Sequence, residues 1–75
     1  MGDYMTLPQV IETSIRHMKP FRRRNWSHAD YIEVVGFGQD NYGNGELHWT
    51  SGERARLFYI TDLTADDWHI KGEEP

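Results

Sequence analysis

Apolar residues first recur along this chain at helical spacing. Leu7, Val10, Ile11, Ile15 and Met18 make one stripe, with Ser14 as a small gap in it. Thr6 is a good N-cap, and Gln9 three residues later completes a capping box. Pro8 falls in the first turn, where its missing N–H costs nothing, and Pro20 forces Lys19 out of helical geometry. The spacing predicts one amphipathic helix of about three turns, ending near Met18 and needing a sheet to cover.

Beyond Pro20 the pattern reads as strand. Residues 21–24 form a short strand and 27–30 a turn, while 31–37, rich in β-branched and aromatic residues, is the best strand. Gly36 and Gly38 mark its end, and the glycines and asparagines of 39–45 suit a loop with positive φ. A three-residue Thr50-Ser51-Gly52 turn pairs Leu47 with Ala55, His48 with Arg54 and Glu46 with Arg56. That register gathers Leu47, Trp49, Ala55, Leu57 and Tyr59 on one face and sets opposite charges across the strands. A two-residue Ser51-Gly52 turn pairs Leu47 with Arg56 instead, and the longer turn is preferred. The other face then carries His48, Arg54, Arg56, Phe58 and Ile60. Thr61 or Asp62 caps a short helical turn through Ala65, and residues 68–70 make a closing strand. The expected fold is α+β: one N-terminal amphipathic helix packed on a small twisted antiparallel β-sheet. It forms a single domain over 1–75, with a loose lead-in at 1–5 and a mobile tail at 71–75.

Composition limits how such a fold is stabilised. A chain of 75 residues buries only about 60–65% of its unfolded surface. It has no cysteine, so tight packing or self-association must supply the rest. The net charge of −4 argues against a general binder of nucleic-acid polymers. No apolar run approaches membrane-spanning length and no signal-peptide pattern is present, so a cytoplasmic location is expected.

Two clusters carry candidate chemistry. In Arg22-Arg23-Arg24 an extended backbone puts Arg22 and Arg24 on one face and turns Arg23 away with Phe21. Such a cluster can be a guanidinium fork for phosphate or carboxylate, with Trp26 as a stacking surface for a base. More often such a run is a solvated, basic edge strand that discourages aggregation. Trp49 and Trp68 read as core residues, whereas Trp26, between a charged run and a turn, reads as exposed. His17, His28, His48 and His69 lack metal-like spacing, and no cofactor motif appears. Asp66-Asp67 near His69 superficially suggests acid–base chemistry, but neighbouring carboxylates in a helical turn are more often caps or surface charges.

Arg23-x-x-Trp26 and Asp62-Leu63-x-Ala65-x-Asp67-Trp68, following an amphipathic helix, resemble the phage-borne Thoeris anti-defence sponge family. Helix and motifs span residues 7–70. The resemblance implies a helix on a twisted antiparallel sheet, assembled as homodimers that pair into tetramers. It also implies a function without catalysis: binding a cyclic ADP-ribose-type immune signal, or in some relatives a cyclic oligonucleotide, inside an infected bacterial cell. On that reading Arg22, Arg23 and Arg24 serve the anionic part of the ligand, Trp26 stacks, and Asp67 bonds a ribose or an exocyclic group. Two alternatives belong to other classes. One is a protein-binding inhibitor of a defence effector such as a CRISPR nuclease, using the acidic C-terminal residues. The other is a small phosphodiesterase pairing His48 or His69 with Asp67.

Overall fold

The computed structural model describes residues 3–26, 29–37, 44–56 and 59–75. Part of the expected turn at 27–30, most of the loop at 39–45, and the hairpin positions Leu57 and Phe58 lie outside them. The element order is α1 (Leu7–His17), β1 (Phe21–Arg23), β2 (Ile32–Phe37), β3 (Asn44–Trp49), α2 (Ile60–Thr64) and β4 (Trp68–Ile70). The four strands form one antiparallel sheet in the order β3-β2-β1-β4, with α1 packed on it. This is the expected α+β architecture.

The capping box at the start of α1 is complete. Thr6 Oγ1 accepts from the Gln9 N–H at 3.4 Å, and Gln9 Oε1 accepts from the Thr6 N–H at 3.0 Å. At the other end Met18 adopts the left-handed conformation, φ 56°, two residues before Pro20. That reversal swings Met18 off the apolar stripe and leaves it 89% exposed, so its place in the expected stripe is corrected. Ser14, expected only as a gap, is buried and closes the helix: its hydroxyl donates to the Lys19 carbonyl, and its own carbonyl accepts the Met18 and Lys19 N–H groups.

Strand alternation then sorts the sheet into two faces. Phe21 of β1 pairs with Ile32 of β2 and Ile70 of β4, and these three join Trp68, Leu7 and Val10 in the core. Trp49 and Leu47 of β3 pack against the same cluster from the side. Each fully buried side chain of this size contributes about 1.5–3 kcal/mol, which makes the core the main source of stability.

The hairpin after β3 has the expected register but not the expected length. His48 bridges Arg54, and Ala55 donates to the Leu47 carbonyl at 2.8 Å, as the three-residue turn requires. Gly52 supplies the positive φ of 110° in that turn. Ile60, expected on a strand, instead opens α2, which starts before Thr61 and Asp62 with Tyr59 as an N-cap that makes no side-chain bond. Tyr59 and Ile60 stay exposed. Alternation suggests a strand there, yet among the described residues no strand pairs with it.

Both ends of the described chain fold back on β4 and α1. Met5 pairs with Trp68 along the outer edge of β4, with hydrogen bonds of 2.8 and 3.1 Å. In the segment 71–75, Lys71 donates to the Pro20 carbonyl at 2.9 Å, while Glu73 Oε2 reaches His17 Nδ1 at 2.9 Å and Lys19 Nζ at 3.4 Å.

Candidate functional site

Alternation along β1 and into Arg24, the residue that follows it, gives three consecutive arginines two different environments. Phe21 points into the core, so Arg23 leaves on the core side and Arg22 and Arg24 on the other. Arg23 is only 14% exposed and is held by two carboxylates: Nη1 donates to Asp62 Oδ1 at 2.7 Å and Nε to Asp67 Oδ1 at 2.9 Å. The Asp67 hydrogen bond is the largest influence raising the Arg23 pKa further above its already high value. Burial opposes the rise, and Asp62 adds to it. The Arg24 N–H donates to the Asp67 carbonyl at 3.0 Å, and Trp68 Nε1 donates to the Asp62 carbonyl at 3.1 Å.

These contacts tie the two motifs of the sequence together. Trp26 completes the junction, its ring centroid 5.4 Å from that of Trp68 and 5.5 Å from that of Trp49. Phe21 meets Trp68 edge-on at 5.6 Å. Trp26 is therefore half-buried in an aromatic cluster, not exposed as expected, because the turn after β1 folds it back over β4. Arg23, Trp26, Asp62, Asp67 and Trp68 form one structural junction between β1, α2 and β4.

Arg22 and Arg24 face an open depression of about 470 Å³ on the other side of the sheet. Its walls are Tyr4, Arg22, Arg24, Trp26, Tyr31 and His69, with Glu74 at the rim. The Arg22 guanidinium lies over the Tyr31 ring at 5.2 Å from its centroid, and the Arg24 guanidinium over Tyr4 at 5.5 Å. Lys71 Nζ approaches the Tyr31 ring at 5.4 Å. Arg22 is anchored as well, donating from Nε to the Arg23 carbonyl at 3.4 Å and from Nη2 to the Trp26 carbonyl. His69 stands opposite Arg22 in the sheet and reaches the depression from β4.

Of the five residues singled out in the sequence, Arg22, Arg24 and Trp26 meet at this depression. Arg23 and Asp67 face each other in the junction, with their charges mutually engaged. Three further wall residues, Tyr4, Tyr31 and His69, were not among the candidates. For Tyr31 and His69 the signal was available, since cross-strand pairing with β1 puts both beside Arg22. Tyr4 gave none, because its place depends on the Met5–Trp68 bridge.

The pairing of a histidine with Asp67 is not assembled. Asp67 turns to Arg23, His69 lines the other side of the sheet, and His48 Nε2 lies 3.0 Å from Glu46 Oε1 on β3. Among the described residues no group of three or more metal-ligating side chains is arranged around a common point. Nor is any described helix long and apolar enough to cross a membrane. What remains is a cationic, aromatic surface with hydrogen-bond donors, suited to a flat, anionic ligand. No protein-family model, curated protein or solved structure matches this chain.

Proposed function

We propose that this protein binds and sequesters a cyclic nucleotide-type signal without transforming it. One observation carries the reading: two guanidinium groups, each laid over a tyrosine ring, share a depression with Trp26. Guanidinium groups suit a phosphate or diphosphate, and aromatic faces suit a base. A volume of about 470 Å³ lies within the range of small-molecule sites. The depression is open, so one copy offers only one wall for a ligand of two nucleosides. A second copy laid over it would complete the enclosure and slow release, and a homodimer or tetramer is part of the proposal. Sequestration calls for nanomolar affinity, about −12 kcal/mol.

The narrower role rests on the resemblance carried by Arg23, Trp26, Asp62, Asp67 and Trp68. In it the ligand is a cyclic ADP-ribose-type or cyclic oligonucleotide immune signal, removed in the cytoplasm of an infected bacterium. The competing reading, an acidic surface that docks on a defence effector, draws less support from the geometry. Asp62 and Asp67 are engaged by Arg23, and Glu73 by His17 and Lys19, so much of the C-terminal negative charge is already matched.

Native mass spectrometry after incubation with a panel of cyclic nucleotides tests the proposal. A retained ligand, released unchanged on heating, is the expected result. Release of a cleaved product would indicate an enzyme. Recovery of an effector protein with no retained small molecule would favour the inhibitor.

A further inference from the structure

His69 is 6% exposed, and its Nδ1 is the one buried side-chain polar atom without a hydrogen-bond partner among the described residues. Leaving such an atom unpaired is costly, so the ring is held in place by its neighbours and not by hydrogen bonds of its own. Its other ring nitrogen, Nε2, lies 3.7 Å from Glu74 Oε1, beyond hydrogen-bonding distance.

Arg24 presents a parallel case in the same corner. Arg22 donates to two carbonyls, but the Arg24 guanidinium makes no hydrogen bond to any described residue and only lies over the Tyr4 ring. That same tyrosine meets His69 at 5.9 Å between ring centroids and 71° between planes. Tyr4 thus brings together a guanidinium with free donors and an imidazole with an unpartnered nitrogen. The carboxylate at the rim is Glu74, carried on the segment that follows β4.

We infer that Arg24 and His69, joined through Tyr4, form a phosphate subsite of this depression, with Glu74 standing in for the anion in the free chain. The inference rests on the nucleotide-binding reading and names the part of the ligand that this corner takes. Phosphate oxygens accept from the Arg24 N–H groups and from a proton on His69 Nε2, the ring nitrogen that Glu74 approaches without bonding. Tyr31, beside Arg22 in the same depression, is left for the base. Glu74 is the opposing charge: it lies near His69, contacts it poorly, and must move aside as the anion enters. Its own tether is slight, a 3.4 Å bond from the Gly72 N–H.

Inorganic pyrophosphate is a suitable probe, titrated into isotope-labelled protein while the His69 ring nitrogens are followed by NMR. The expected result is a saturable shift of the His69 Nε2 signal. R24Q should weaken binding by about tenfold or more, the loss of a charge-assisted hydrogen bond. E74Q should tighten it by about threefold, because a competing carboxylate is removed from the rim. Arg24 and Glu74 are exposed side chains, so both variants keep the fold, which unchanged signals elsewhere in the spectrum would verify. A His69 ring that stays unmoved at saturation, or an R24Q affinity equal to that of the parent, overturns the subsite. If pyrophosphate moves His69 but no cyclic nucleotide is retained in native mass spectrometry, the subsite stands and sequestration fails. If cyclic nucleotides are retained equally by the parent and R24Q, with His69 unmoved, sequestration stands and the subsite fails.

Discussion

Arg23 and its neighbours Arg22 and Arg24 occupy the two sides of β1 and the residue that follows it under opposite conditions. On the core side Arg23 is enclosed by Asp62 and Asp67, its charge answered from within the chain. On the other side Arg22 and Arg24 lie over tyrosine rings and border an open depression. The contrast separates two meanings of a recognisable motif. Arg23, Trp26, Asp62, Asp67 and Trp68, which carry the family resemblance, are residues that hold β1, α2 and β4 together. Tyr4, Arg24, Tyr31 and His69, which shape the depression, lie outside those motif positions. A shared motif of this kind reports a way of closing a sheet, and the ligand has to be argued from the other face.

The comparison can be broken most severely at Trp68. Trp68→Ala removes the largest fully buried side chain and should cost about 3–5 kcal/mol. For a domain whose total stability is about 5–15 kcal/mol, that is a third or more of the total for most of the range, visible as a lowered midpoint in urea titrations followed by circular dichroism. Arg23→Met should cost about 2–3 kcal/mol. It strands two largely buried carboxylates, but Asp67 is 25% exposed and keeps some hydration. Arg23→Lys should recover only part of the loss, since an ammonium cannot bond both aspartates in the fork geometry. An Arg23→Met midpoint equal to the parent's would show that the junction does not hold the fold.

On the other face the expectations invert. Arg24→Gln should change stability by less than about 1 kcal/mol, yet weaken retention of a nucleotide ligand in native mass spectrometry by about tenfold. Parallel losses of stability and binding would erase the distinction between the two faces. The smallest effect concerns acid. Glu73 titrates below the ordinary glutamate value of 4.5, first because of its hydrogen bond with His17 and then because of Lys19. Glu46 is lowered in the same direction, first by His48 and then by Arg54. A carboxylate lowered on folding adds stability that is fully present above 4.5 and is lost as pH falls through the folded value. Glu73→Gln should therefore lower stability slightly at neutral pH and leave the acid end unchanged, which flattens the acid limb of the profile.

Local chemistry was legible in the sequence wherever it acts over a few residues. The capping box at Thr6 and Gln9, the helix end before Pro20 and the His48–Arg54 register all follow from neighbours in the chain. So does the division of the arginines, which needs only the alternation of a strand. What could not be read was set by partners far away. Arg23 meets Asp62 and Asp67 across separations of 39 and 44 residues, and nothing near Arg23 announces them. Trp26 folds back for the same reason, onto Trp68 and Trp49. The strand expected through Ile60 failed because alternation describes a surface, while the sheet neighbour needed to bury it is a tertiary matter. His69 reads as a possible base beside Asp67, whereas Asp67 lies just before β4, outside the alternation of the strand, and turns to Arg23.

The order of strands in the sheet also has a kinetic meaning. β2 and β3 are neighbours in the chain, but β1 must wait for β4, whose residues follow some 45 positions later. Closing so long a loop costs entropy that is recovered only when Trp68 and Ile70 dock. The strand that completes the core is therefore expected to join last, after the transition state. Contacts formed that late govern how fast the domain opens more than how fast it forms. The Arg23 junction then acts as a latch: weakening it shortens the lifetime of the closed sheet while the rate of folding stays nearly the same.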